Sequence, residues 1–225
     1  MSGPIPTGCA PIDDLLGGGV EREAVTQIYG PPASGKTNLV LSTAVEVASG
    51  GDRALLIDTE GVSGDRLAQI AGDDIESVAD RIVVSEAIDF EAQREAVRDA
   101  EELAGQLEVI ALDSATGFYR LERDADDEGE TLRDVTRQIT HLLGLARKHD
   151  LAVVVTNQVY SDPDGDRPRP LGGHTLEHWS SAVLRLERFR GGNRRATLEK
   201  HRSSETGESV RFQITDSGLD GVEEV

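Results

Sequence analysis

Val25-Thr26-Gln27-Ile28-Tyr29-Gly30-Pro31-Pro32-Ala33-Ser34-Gly35-Lys36-Thr37 decides the fold. Val25–Tyr29 is apolar and β-branched and predicts a strand. Gly30 to Thr37 fit G-x-x-x-x-G-K-[ST], and Lys36–Ala48 predicts a helix. A strand that enters such a loop and a helix that leaves it are the setting in which this pattern cradles phosphate. The glycines let backbone N–H groups wrap the anion, and the helix N-terminus adds its dipole. Gly30, Pro31, Pro32, Ala33, Ser34, Gly35, Lys36 and Thr37 are therefore the candidate ATP cradle. Lys36 is expected on the β- and γ-phosphates and the Thr37 hydroxyl on Mg²⁺.

Outward from this stretch, strands and helices alternate. Ala54–Asp58, Arg81–Val84, Glu108–Asp113 and Leu151–Thr156 predict strands, and Asp89–Ala104 and Thr131–His149 predict helices. In the second helix Leu132, Val135, Ile139, Leu142 and Ala146 recur at helical spacing. The last third changes to Ala182–Phe189, Arg194–Lys200 and Ser209–Thr215, three strands joined by short turns. The pattern predicts an α/β fold: a mostly parallel twisted sheet, helices on both faces, and an antiparallel C-terminal edge. Asp124–Glu130 and Ser161–Gly173 predict loops.

Three strand tips carry candidate chemistry. Asp113 ends the apolar run Val109–Leu112, where a carboxylate can hold a magnesium-bound water or merely cap a helix. Glu60 follows Leu55-Leu-Ile-Asp58-Thr59 and can serve as general base on an attacking water, or be a solvent-facing turn residue. Gln158 follows Val155-Thr156-Asn157 and can sense the γ-phosphate, or simply close the strand.

Composition bounds the rest. The 225 residues carry 42 acids against 23 bases, and only three of the bases are lysines, Lys36, Lys148 and Lys200. The longest apolar run, Leu151 to Val155, is far short of the ~18 residues of a membrane span. No secretory leader opens the chain, so a cytoplasmic location is expected. One cysteine, Cys9, excludes an intramolecular disulfide and a cysteine-rich metal site. Acid spread along the chain with lysine depleted resembles proteins of salt-accumulating archaea. Against this background, residues 185–211 hold eight bases and four acids; the segment is +4, leaving -23 on the remainder of a chain whose net charge is -19. Three uses of that positive charge stay open. Arg188, Arg190, Arg194 and Arg195 can meet DNA phosphates, Lys200 and Arg202 can reach an ATP on a neighbouring subunit, or the segment can salt-bridge its own acidic face. Trp179 is expected in the core, with stacking of Trp179 or His174 on a base as the alternative.

The phosphate loop, Asp58-Thr-Glu60, the Asp113 strand and Thr156-Asn-Gln-Val159, in this order, resemble the ATPase core of the RecA/RadA recombinase family, most of all its short archaeal paralogues. Pro6-Thr7-Gly8-Cys9, Ile12-Asp-Asp-Leu-Leu-Gly-Gly-Gly19 and Pro170-Leu-Gly-Gly-His174 are similar too, so the likeness covers nearly the whole chain. It implies one RecA-like P-loop NTPase domain over residues 1–225 without the helix-hairpin-helix domain of RadA. It also implies Glu60 as catalytic base, Gln158 as sensor, and Arg66, one residue short in spacing, packed on adenine. Lys200-His201-Arg202 resembles a K-x-R pair that related ATPases insert in trans. The implied function is ATP- and Mg²⁺-dependent DNA binding in recombination and repair, with weak hydrolysis. Strand exchange is not expected, because the first family DNA loop coincides with the acidic Asp124–Glu130 and the second is short. Implied partners are DNA (single-stranded or branched), RadA recombinase or a Holliday-junction nuclease, and a second copy of the chain. The alternative is a regulatory ATPase of the KaiC type, an assembly switch without DNA.

Overall fold

The computed structural model describes residues 3–118, 128–160, 169–189 and 192–222. The elements run α1 (Ala10–Leu16), β1 (Val25–Tyr29), α2 (Lys36–Ser49), β2 (Ala54–Asp58), α3 (Gly64–Ala71), α4 (Ile75–Ala79), β3 (Ile82–Glu86), α5 (Phe90–Leu103) and β4 (Val109–Asp113). There follow α6 (Glu128–His149), β5 (Ala152–Asn157), β6 (Val159–Tyr160), β7 (Arg169–Pro170), α7 (Gly173–Trp179), β8 (Ala182–Arg188), β9 (Arg194–His201), β10 (Ser209–Thr215) and β11 (Gly218–Gly221).

Nine strands form one sheet in the order β11-β10-β9-β8-β1-β5-β4-β2-β3. Six of them, from β8 to β3, are parallel, and β9, β10 and β11 return antiparallel. β1, β2, β4 and β5 are buried at every position, which is why they read as unbroken apolar runs rather than alternations. The expected class, parallel sheet with an antiparallel C-terminal edge, is the one observed.

The sheet separates two cores. One holds Leu39, Leu41 and Val45 of α2 with Ile12, Leu16, Leu56 and Phe212. The other holds Phe90 and Val97 of α5, Val135, Ile139 and Leu142 of α6, and Leu176 of α7. α2 is apolar almost all round and lies inside the molecule. α3 starts on a Ser63 cap that accepts from the Arg66 N–H at 3.2 Å, and α5 on an Asp89 cap that accepts from the Ala92 N–H at 2.8 Å.

Several boundaries differ from expectation. β3 is shifted to Ile82–Glu86, because its partner is Ala54–Asp58 along the full strand. α6 starts at Glu128 inside the acidic run, since an acid such as Glu130 in the first turn suits the helix dipole. The remainder of that run lies outside the described residues. The predicted loop over Ser161–Gly173 ends in β7, which pairs with β6, and in the first residue of α7; residues 161–168 lie outside the described set.

Candidate active site

Every parallel strand delivers its carboxyl end to one edge, and that edge collects the candidates. Gly30 follows β1 where a Cβ would stand 2.2 Å from the Leu186 carbonyl oxygen, so only glycine lets the loop pass β8. Gly35, at φ 106°, turns the chain into α2. Lys36, the first residue of α2, is buried and donates to the carbonyls of Gly30 at 3.1 Å and Pro31 at 3.3 Å. Burial pushes its ammonium pKa down, opposed by Glu60 and Asp113 nearby.

Asp113 is fully buried at the tip of β4, and burial raises its carboxyl pKa against hydrogen bonds from Thr156 and Thr37. The Thr156 hydroxyl donates to Oδ1, while Asp113 Oδ2 lacks a full hydrogen bond from any described residue. A buried anionic oxygen beside the Thr37 hydroxyl and Lys36 suits a divalent cation bridging to phosphate. The donor set is all oxygen and hard, as Mg²⁺ prefers. The residues present therefore fit Mg²⁺, with Thr37 and Asp113 as its holders.

Asp58 presents Glu60. Buried at the end of β2, its Oδ1 accepts from the N–H groups of Glu60 and Gly61, each at 3.0 Å, and its Oδ2 from Val62. Thr59 ties this turn to the Asp113 strand: its hydroxyl accepts from the Ser114 N–H at 2.8 Å and donates to the Ser114 carbonyl at 3.2 Å. Gln158 then donates its side-chain amide to Glu60 Oε1 at 2.9 Å. Its own backbone is held by the Thr116 hydroxyl at 3.1 Å and the Leu171 N–H at 2.9 Å. Lys36, Thr37, Glu60, Asp113 and Gln158 thus come together on one edge.

The remaining candidates lie elsewhere. Arg66 donates to Asn38 at 2.7 Å and to the carbonyls of Gly218 and Asp216 at 3.1 and 3.3 Å, tying α3 to α2 and to the β10–β11 turn. Lys200 is in register with Val183, near the start of β8. The loop leaves β1 beside Arg185 and Leu186, two to three residues further along β8, about 10 Å. Lys200 donates to the Glu177 carbonyl at 2.6 Å, and Arg202 pairs with Glu21 at 2.9 Å. Both are engaged by residues of their own chain outside the phosphate-loop edge.

Arg195 pairs with Glu187 at 2.8 Å and lies over the Phe189 ring. Arg194 stands beside the phosphate loop, with Nη2 3.5 Å from the Ala33 carbonyl. Arg188 is exposed, and Arg190 lies outside the described residues. Trp179 is not in the core: it is 38% exposed at the end of a seven-residue helix, its edge against His178, because α7 buries only Leu176. His174 is exposed and pairs with Glu177.

Sequence reasoning passed over Asp58 and Thr59 as working residues; an acid and a hydroxyl closing an apolar strand were the available signal. It also passed over a network behind the loop. Tyr29 donates to Glu199, Arg185 donates to Glu199 at 2.6 Å, and Arg185 pairs with Glu187. Burial raises the Tyr29 pKa.

A phosphate loop after the middle strand of this sheet, with β8-β1-β5-β4-β2 in that order, defines the class: a RecA-like P-loop NTPase core. The Rad51 family model matches residues 4–222. "DNA repair and recombination protein RadB" of Halobacterium salinarum is 59% identical over 222 residues, covering 96% of this chain and 94% of the relative. The protein of the same name from Methanococcoides burtonii is 46% identical over 215 residues, covering 95% and 96%. A solved structure described as the crystal structure of the RadB recombinase matches with a TM-score of 0.85 and 35% identity, over 97% of this chain and all of that one. The chain belongs to the Rad51 family, in its archaeal RadB branch.

Proposed function

We propose that this chain is an ATP-binding protein of DNA repair and recombination, hydrolysing ATP slowly and binding DNA as an accessory to recombination. The observation that carries this is the bond from Gln158 to Glu60 at 2.9 Å, on the edge that also holds Lys36 and Asp113. The names and identity of the RadB relatives support the recombination role.

In this reading the loop amides and Lys36 bind the phosphates, exchanging the Gly30 and Pro31 carbonyls for phosphate oxygens. Mg²⁺, when bound, neutralises charge building on the β- and γ-phosphates. Thr37 and Asp113 would hold it. Glu60 takes a proton from the attacking water, and Asp58 keeps the Glu60 backbone in place while it does so. Gln158 holds Glu60 until the γ-phosphate competes for its amide, which passes the nucleotide state to the segment after β5. Lys200 and Arg202 serve a nucleotide on a second copy; in their own chain they are engaged by the Glu177 carbonyl and Glu21. DNA, RadA recombinase and a junction nuclease are the partners this role calls for.

The test is ATP turnover at molar KCl with and without single-stranded DNA. Slow turnover that DNA alters supports the proposal. ATP binding unaffected by DNA, with no DNA binding at all, overturns the repair role in favour of an assembly switch.

A further inference from the structure

The acidic chain carries a second cationic concentration, away from the nucleotide edge. α5 presents Arg94 and Arg98, and α6 presents Arg137 and His141, each pair one helical turn apart. They line a cleft of about 260 Å³ between the two helices, with Asp134 as its one carboxylate. Asp134 serves two guanidiniums at once, Arg137 and, at 3.7 Å, Arg94, which also pairs with Glu91 at 3.2 Å. Arg98 makes no ion pair or hydrogen bond with any described residue. Arg94 and Arg137 are thus paired, and Arg98 is the guanidinium left over.

The floor of the cleft is polar where it should be apolar. Gln93 falls in the stripe of Phe90, Val97 and Ala100, and Gln138 in that of Val135, Ile139 and Leu142. Gln93 is fully buried and Gln138 is 5% exposed; the Gln93 amide donates to Gln138 Oε1 at 2.8 Å. That bond leaves two buried atoms of the pair without a partner, the donor Gln138 Nε2 and the acceptor Gln93 Oε1; His141 Nε2 is unpartnered as well. A buried donor left open is costly and seldom kept without use. Here it lies under a rim of guanidinium groups.

From this geometry we infer that the α5–α6 cleft is an anion site for a phosphate group. Amide, imidazole and guanidinium groups line a space too small for a nucleotide. At 1 M salt the Debye length is about 3 Å, so diffuse positive surface holds no anion. Short bonds from donors already shielded from water survive that screening, and Gln138 supplies one. The phosphate can be a free ion or one phosphodiester of a nucleic-acid backbone.

Nitrogen-resolved NMR of the full chain at molar KCl, with Mg·ADP present, tests this. Inorganic phosphate is expected to shift the Gln138 side-chain amide and the His141 ring saturably. Arg98→Glu, an exposed helix position whose spectrum reports its folding, is expected to weaken that binding about tenfold or more. Gln138→Met, which keeps the volume, should weaken it also. If free phosphate leaves these signals still while an oligothymidylate moves them, the ligand is the backbone phosphodiester. If neither moves them, or Arg98→Glu and Gln138→Met bind as tightly as the native chain, the site does not exist. Because the readout is local to the cleft, failure of the ATP assignment would not mimic any of these results.

Discussion

The carboxyl edge of the parallel strands and the β8–β9 ribbon both carry dense charge, and they handle it in opposite ways. At the edge, charge is left available. Lys36 rests on carbonyls, Glu60 on a neutral amide, and Asp113 keeps one buried oxygen open. On the ribbon, charge is consumed: Arg185 meets Glu187 and Glu199, Arg195 meets Glu187, and Arg202 meets Glu21. A count of charges marks the ribbon as the functional surface. The pairing marks the edge.

The sharpest way to break this contrast is Lys36→Ala. ATP affinity should fall about a hundredfold or more by equilibrium binding, because two charge-assisted contacts vanish together. Retained affinity would sink the site assignment. Glu60→Gln should slow turnover by about 10²-fold or more while ATP still binds. Loss of binding instead would make Glu60 structural.

Asp113→Asn separates stability from function. Burial raises the Asp113 pKa, so the native state binds more protons there than the unfolded state. Its contribution therefore falls as pH rises through the carboxylate range. Without Mg²⁺ and nucleotide, the asparagine variant should melt higher, by roughly 1 kcal/mol, while Mg²⁺-dependent ATP binding is lost. A lower melting point would contradict the open-charge picture.

The ribbon should answer more weakly. Arg195→Ala should cost about 1 kcal/mol in urea unfolding and leave ATP affinity unchanged. Burial pushes the Glu187 pKa up, but Arg195 and Arg185 outweigh it and hold the carboxyl below its usual range. The native pKa is the lower one, so this stability is present at neutral pH and is lost as pH falls through it. Arg202→Ala should change stability least, by about 1 kcal/mol or less, since Arg202 is 57% exposed although Glu21, at 17%, is not. Any slowing of turnover in that variant without loss of ATP binding would place Arg202 on a neighbour's nucleotide. An unchanged rate would remove that role.

The sequence alone made the parallel half readable because burial on both faces writes it as apolar runs. Val25–Tyr29 and Ala54–Asp58 are observed as expected, and so, in the antiparallel edge, is Ser209–Thr215. Short elements were not readable. α1, α3 and α7 have seven or eight residues, too few for periodicity to speak, and β11 is a four-residue edge strand paired with β10. Positions of Lys36, Glu60, Asp113 and Gln158 followed from strand tips. What each one touches did not, because Gln158 and Glu60 are 98 residues apart in sequence and meet only through sheet order. Trp179 misled for the opposite reason: large aromatics are usually buried, and a short surface helix is an exception no pattern announces.

The pairing of β1 has a consequence for how the chain comes to life. Its two neighbours are β5, from residue 152, and β8, from residue 182. During synthesis the strand that carries the phosphate loop therefore waits for its first neighbour until about two thirds of the 225 residues exist, and for its second until about four fifths. Contacts this distant in sequence close slowly and leave apolar edges open to other chains meanwhile. A ribosome-stalled fragment ending before β8 should remain sensitive to protease at the loop. Refolding of the full chain should speed up only if ATP binds a partly assembled sheet, which would make the nucleotide a participant in the protein's own assembly.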